Sequence, residues 1–322
     1  MKTVSAMLLA VMMLGSASAS HALDYPKSYV RIIVPYPTGG SAESQARTLA
    51  EQLSKIWKQQ VIVENKPGAG TTIGAAFVAS AAPDGYTLYL AGTSHTVSPS
   101  LHSNLKYDPV GSFAPVSRVA TSPFILLVNP KLGVNSVAEL IELARSTPGK
   151  LNYGTSGIGA GPHLAAEMFQ AAAKINVTHV PFKGSAPAMT ALLGNFIDFA
   201  FGDVSALPSV KAGSLKALAV TSLDRFPGLP DVPTFNEAVS KGFEVTNWSC
   251  ILAPGNTPPE IVAFINRSIS EALATPELKR QLAIQGFEPT ASTPEALHDL
   301  LASEVKKYAE VLRKAGVEPE QQ

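Results

Sequence analysis

The feature that most limits what this chain can fold into is its alternation of short apolar runs with helical spacing. YVRIIVPY, QVIVE, GYTLYLAG, PFILLVN, NVTHVPF, FIDFAFG and SLKALAVT are each bounded by Gly, Pro or Asn and read as strands. Between the first two, apolar side chains at 42, 46, 49, 53, 56 and 57 form the single buried stripe of an amphipathic helix. Ser136 followed by Glu139 reads as a capping box opening a helix that runs to Ser146. Thr257-Pro-Pro-Glu260, Thr275-Pro276 and Thr293-Pro294 each pair a Thr cap with a Pro in the first turn. Strands alternating with helices predict an α/β architecture, with parallel sheets covered by helices on both faces.

The alternation stops after one last strand-like run, EVTNWSCILAP; from there to Gln322 every segment reads as helix. A strand followed only by helices predicts a chain that returns to an earlier domain. Two apolar runs lack an obvious helix partner, around 124–129 and 244–253, and these are the natural crossovers. The expected organisation is therefore one domain of residues 24–122 plus 248–322 and a second of residues 123–247. Two α/β lobes joined by two crossovers leave a cleft, and ligands of such sheets bind beyond the carboxyl ends of the strands.

Three turns rich in glycine and hydroxyls follow strands: PYPTGGSAES (35–44), AGTSHT (91–96) and GTSGIGAGPH (154–163). The first and third run into helices, whose free N–H groups and positive dipole end favour an anion. Taken singly, such glycines most often only make a tight turn. Two of these turns facing each other across a cleft favour a binding site. The third is no nucleotide loop, because neither Gly-Lys-Ser/Thr nor a Gly-x-Gly-x-x-Gly after the first strand is present.

Charge and composition remove other classes. With 25 basic and 25 acidic residues the chain has no basic excess for nucleic acid. Six scattered histidines lack metal-ligand spacing, so no zinc site is expected. The one cysteine, Cys250, lies in an apolar run and reads as a buried small hydrophobe. Residues 1–22 read as a signal peptide: Lys2, an apolar run from Val4 to Leu14, then Ser20 and Ala22 at the −3 and −1 positions. That run falls short of the ~18–20 residues of a spanning helix. The mature chain, starting at Leu23, is expected in the periplasm.

Three functions suit such a cleft: a transport receptor, a hydrolase-like enzyme, or an exported sensor that docks on a signalling partner. GTSGIG lacks the Gly-x-Ser-x-Gly elbow, although Ser94 beside His95 and Ser156 with His163 offer hydroxyl–imidazole pairs. His163, in the first turn of a helix, reads as a capping or packing residue before a catalyst. Neither anion turn contains Arg or Lys, so dipoles and N–H groups would have to meet a carboxylate. Lys183 is the one nearby cation, with a solvated loop lysine as its plainer reading. Tyr36, Phe124, Phe201 and Trp248 are candidates for an apolar lining, which favours a ligand with an aromatic or hydrophobic body over citrate.

RIIVPYPTGGSAESQAR, VIVENKPGAGTTIGAAFVASAAPDGYTLYLAG, YDPVGSFAPVSRVATSPFILLVNP, LNYGTSGIGAGPHLAAEMF, HVPFKGSAPAMTALLGNFIDFAFGD and LKALAVTSLDRFPGLPDVPTFNEA, in this order and spacing, resemble the substrate-binding proteins of the tripartite tricarboxylate transporter system. These are the Bug family of periplasmic receptors, and the likeness covers essentially the whole mature chain. It implies a type II periplasmic-binding-protein (Venus flytrap) fold that closes on a small carboxylate; with the candidate lining rings, a di- or tricarboxylate or an aromatic carboxylate is expected. A monomer without cofactor or enzymatic activity is expected. Delivery would be to a permease of one large and one small integral subunit, driven by an ion gradient.

Carried over by position, the resemblance implies two jaws. Tyr36, Pro37, Thr38, Gly39, Gly40 and Ser41 form the first, and Ser156, Gly157, Ile158, Gly159, Ala160, Gly161 and His163 the second. Residues 91–94, 183–185 and 202–204 fall on the remaining walls, with Gly92, Thr93, Ser94, Lys183, Gly184 and Asp203 as the contact residues. Backbone amides and ordered water would make much of the contact. Thr38 stands where the family usually has a second proline, and Glu43 where it usually has Asp. Both departures bear on pocket polarity.

Overall fold

The computed structural model describes residues 23–314, so the leader expected at 1–22 lies outside the described residues. The chain builds β1 (Val30–Val34), β2 (Val61–Asn65), β3 (Thr87–Gly92) and β4 (Phe113–Pro123). It then crosses into β5 (Ile125–Val128), β6 (Asn152–Thr155), β7 (Thr178–Pro181), β8 (Phe199–Gly202) and β9 (Lys216–Val220). It returns through β10 (Thr246–Pro254) and β11 (Glu288–Pro289). Two sheets result, ordered β11-β4-β10-β3-β1-β2 and β7-β6-β8-β5-β9. The helices are α1 (Ser41–Trp57), α2 (Thr72–Ala79), α3 (Thr93–Leu101), α4 (Val137–Ser146), α5 (Gly161–Ala173), α6 (Ser185–Leu193), α7 (Leu207–Lys211), α8 (Phe235–Ala238), α9 (Pro259–Ala274), α10 (Pro276–Ile284) and α11 (Pro294–Lys314).

The sheets are mixed, not parallel throughout. β1 pairs in parallel with β2 and β3, and β6 with β7 and β8, whereas β10 runs antiparallel to β3 and β4, and β5 antiparallel to β8 and β9. The reason lies in the crossovers. In both lobes the parallel strands aim their carboxyl ends at the cleft, so a strand arriving from the other lobe starts at the cleft and runs away from it. β4, absent from the expected strands, hides in FAPVSRVATSP, where Pro, Ser and Arg dilute the apolar alternation.

Local chemistry sets several boundaries. The Ser136 side chain accepts from Glu139 N, but Glu139 Oε2 accepts from Asn135 N, so the box is only half made. Thr275 and Thr293 cap α10 and α11 through Leu278 N and Ala296 N. Thr257 does not cap α9; its hydroxyl turns back to Pro254 O. In α1, Ala46, Leu49, Leu53 and Trp57 are buried, with Ala42 and Ile56 packed at the margin of the same core. Cys250 is fully buried in β10, and burial pushes its thiol far up.

The tail helices α9 and α10 supply Ile265, Ile269, Leu278 and Leu282 to the core of the first sheet. The last helix does more. Leu297 and Leu301 of α11 pack with Tyr89 and Trp248 beside the first sheet, while Tyr308 and Leu312 enter the core of the second with Leu126 and Phe169. Twenty-one residues at ~1.5 Å each span about 30 Å, enough to reach both.

Thr221, fully buried, ties the two crossovers together. Its hydroxyl accepts from Phe124 N at 2.8 Å and donates to Val245 O at 2.5 Å, while its own N–H donates to Phe124 O. Thr221→Val keeps the shape but leaves a buried donor and a buried acceptor unmatched, at about 1–3 kcal/mol each. Urea denaturation is expected to show a loss of roughly 2–6 kcal/mol. A change within experimental error would mean that the hydroxyl clamps nothing.

Candidate functional site

Between the lobes lies a cleft of about 520 Å³, at the carboxyl ends of β1, β3, β6 and β8. The starts of α1, α3, α5 and α6 all meet it, and none has a side-chain cap: their N-cap residues are Gly40, Gly92, Ala160 and Gly184. Away from the cleft, Ser136, Thr234 and Thr275 cap their helices, while α2, α7 and α9 start without a side-chain cap; what distinguishes the four starts is that they converge on one cleft. Uncapped first turns leave backbone N–H groups and the positive end of each dipole for a ligand.

The first jaw, residues 36–41, is braced from both sides. Asn65 Nδ2 donates to Tyr36 O at 2.9 Å. The Glu43 carboxylate accepts from Gly39 N at 2.6 Å and from Arg47 Nε at 2.8 Å. The Gly39 N–H first, and Arg47 with it, hold that carboxyl below its usual range. The longer acid at position 43 thus engages one amide of the jaw itself. Burial raises the Tyr36 phenol, with the Ser94 hydroxyl pulling the other way.

The cleft wall includes Tyr36, Pro37, Thr38, Gly39, Gly40, Ser41, Gly92, Thr93, Ser94, Ser156, Ala160, Gly161 and Asp203. Gly157, Ile158, Gly159, His163, Lys183 and Gly184 stand outside it. Ile158 is 55% exposed on the outer side of the loop, and Lys183 is an exposed loop residue. A Cβ on Gly159 would point at Leu101, away from the cleft. Gly184 works from behind, its N–H donating to Ser156 O at 3.1 Å. Phe201, a candidate for the apolar lining, is instead packed in the core against Phe169 and Phe235.

Neither hydroxyl–imidazole pair survives in the fold. Ser94 faces the cleft, but His95 is buried with Nε2 at 2.7 Å from Pro109 O, among Tyr89, Tyr107 and Phe113. His163 lies beneath the second jaw, where its Nδ1 accepts from Gly159 N and its ring stacks on His179. Among the described residues no group of three or more His, Cys, Asp or Glu is placed to hold a metal.

Ser185, expected on the wall, does line the cleft, and Gln45, Asn247, Ser249 and Phe287 line it without having been expected there. Ser249 Oγ donates to Gln45 Oε1 at 2.8 Å, which fixes the glutamine's carbonyl oxygen. Gln45 had a legible sign: it is a polar residue within the apolar stripe of α1, one turn after Ser41. Asn247 and Ser249 come from β10, and Phe287 precedes a two-residue strand in the tail; no local pattern marks them. Among the described residues Asp203 is the single charged side chain on the wall, and both its oxygens are engaged, by Ser185 Oγ and Ser205 N, each at 2.8 Å.

Two mixed α/β lobes around a cleft of exposed helix starts define a solute-binding protein of the periplasmic receptor type. The chain belongs to the tripartite tricarboxylate transporter receptor family, whose family model matches residues 45–317. It is 36% identical to the protein BugT of Bordetella pertussis, with 94% of each chain covered. Among solved structures it is similar to Rpa4515 of R. palustris with adipate, at 32% identity and TM-score 0.78, covering 92% of this chain and 100% of that one. It is also similar to MatC of Rhodopseudomonas palustris with bound malate, at 31% identity and TM-score 0.73, covering 89% and 100%. The family is one of periplasmic receptors that bind small solutes.

Proposed function

We propose that this protein captures a small carboxylate between its lobes and delivers it to a tripartite permease. The observation that carries the reading is the convergence of four uncapped helix starts on a cleft whose wall, among the described residues, has no Lys or Arg. Backbone N–H groups and the hydroxyls of Thr38, Ser41, Thr93, Ser94 and Ser156 then serve as the donors for the anion. The Thr93 hydroxyl is buried on that wall without a protein partner, ready for one. Adipate and malate in two relatives support the ligand class. The rings of Tyr36, Phe124, Trp248 and Phe287 favour a hydrophobic body on the ligand, closer to adipate than to citrate.

In this reading residues 24–122 with 248–322 form one lobe and 123–247 the other, residues 1–22 direct export, and the receptor works as a monomer without catalysis. A ligand held by both jaws selects the closed state, and the permease recognises that closed face. A thermal-shift screen of mono-, di- and tricarboxylates, aromatic ones included, is the test. Ligand at 100 Kd stabilises by ~2.7 kcal/mol, a visible shift. The binder should also reduce the radius of gyration in small-angle scattering. Stabilisation by an uncharged solute class, with none by any carboxylate, would overturn the ligand assignment. An unchanged radius at saturation would remove the closing step.

A further inference from the structure

We infer that His163 is a positioning residue of the second jaw, acting through the backbone of Gly159 in its neutral form and never touching the ligand. This role rests on the reading of residues 156–161 as a jaw.

The loop that forms the jaw has few backbone bonds of its own, chiefly Ala160 N to Gly157 O at 3.3 Å and Gly184 N to Ser156 O at 3.1 Å. Gly157 and Gly159 adopt φ of +140° and +74°, and Ala160 gives α5 no side-chain cap. Its support comes from below. Gly159 N donates to His163 Nδ1 at 3.1 Å, so Nδ1 carries a lone pair and the ring proton sits on Nε2. The other end of the loop is tied to the neighbouring imidazole: His179 Nε2 lies 2.7 Å from Thr155 Oγ1, which in turn accepts from Gly157 N at 3.3 Å.

The two imidazoles cannot turn away. His163 stacks on His179 with centroids 4.2 Å apart and planes within 10°. His179 stacks on Tyr153 at 4.8 Å, and Tyr153 on Phe199 at 5.6 Å. Three of these rings come from the adjacent strands β7, β6 and β8, so the column connects the jaw to the second sheet. Tyr153 OH and Gln170 Nε2 both donate to Glu167 Oε1, which stands 3.7 Å from His163 Nε2.

Protonation would undo the arrangement. A second ring proton on Nδ1 would face the Gly159 N–H donor to donor, and a charged His163 would press on His179. Among the described residues, the titratable groups that face this pair are Glu167 of α5 and Tyr153 of β6; Lys241 and, from α11, Lys307 and Glu310 line the groove that Glu167 shares. Burial lowers both imidazoles from 6.5 to about 4; His163 lowers His179 further, against the pull of the Glu167 carboxylate. The jaw is therefore set at neutral pH and released in acid.

The test uses the full mature chain, adipate as probe, and His163→Asn and His163→Leu. Asparagine places a carbonyl oxygen near the Nδ1 position and does not titrate; leucine offers no acceptor. Nitrogen-15 spectra of the imidazoles at pH 7 should show an unprotonated Nδ1 on His163. Hydrogen exchange at Gly159 should be about tenfold faster in His163→Leu, and adipate binding about tenfold weaker, with His163→Asn near the parent in both. Below pH 5 the parent should lose protection at Gly159, corrected for intrinsic exchange, while His163→Asn keeps it. A proton on Nδ1 at pH 7, or unchanged protection in His163→Leu, would overturn the role. If adipate fails to bind even the parent, the ligand reading fails, while the tautomer and exchange results still decide the positioning role.

Discussion

Replacing Gly159 by Val is expected to abolish carboxylate capture, although Gly159 does not line the cleft. Its φ of +74° lies in the left-handed region, where a β-branched residue is strained by about 1–3 kcal/mol. A Cβ there would also meet Leu101 Cδ1 at 2.7 Å and Cδ2 at 3.2 Å. The leucine tip has some freedom to move, but the backbone conformation has none with Val in place. The loop must leave its position, Gly159 N leaves His163, and the first turn of α5 no longer faces the cleft. The effect on binding is thus transmitted through the loop and is not a block on ligand approach. Isothermal titration should show at least a hundredfold weaker binding, roughly the 2.7 kcal/mol that separates two decades in Kd. Ile158→Ala, altering an exposed neighbour, should bind normally. Normal affinity in Gly159→Val would remove residues 156–161 from the site.

Stability is expected to fall steeply between pH 6.5 and about 4. Burial lowers His95, His163 and His179 from 6.5 to about 4. In the unfolded chain these rings take protons near 6.5, while the folded chain refuses them until about 4, so their contribution is complete above 6.5 and lost as pH falls through that window. Each fully shifted ring contributes a slope of ~1.4 kcal/mol per pH unit. His95 and His163, almost wholly buried, together give up to ~2.7 kcal/mol per unit, and the half-buried His179 adds less. Glu43, lowered by its bonds to Gly39 and Arg47, adds loss in the same direction at lower pH. Glu288, raised by burial, works the opposite way. Urea midpoints measured from pH 7 to pH 4.5 check the slope. A flat profile would mean that the buried rings already carry protons or water at neutral pH.

These two expectations rest on different kinds of residue, and they divide what was legible from what was not. The glycine turns were visible because glycine marks backbone that other residues avoid, and Gly39, Gly157 and Gly159 do take positive φ. The stripe of α1 and the Thr caps of α10 and α11 were visible because helix period and first-turn hydrogen bonds are local. His163 was visible only as a histidine in a first turn. Its partner, His179, lies 16 residues on in another strand, and no spacing rule relates a helix start to the strand beneath it. Phe201 failed as a lining residue for a similar reason. An apolar strand buried on both faces does not show which ring faces the cleft.

Local pattern alone reveals the α/β class, the return of the tail to an earlier lobe and the bare starts of α1 and α5, because period, caps and left-handed glycines are written within a few residues; the bare starts of α3 and α6 emerge only in the fold. Tertiary structure alone decided the rest: the antiparallel setting of β5 and β10, the reach of α11 into both cores, the arrival of Phe287 and Asn247 at the cleft, and the His163–His179 column. Each depends on contacts between segments far apart in the chain, whose side chains meet only once both sheets have closed around their cores.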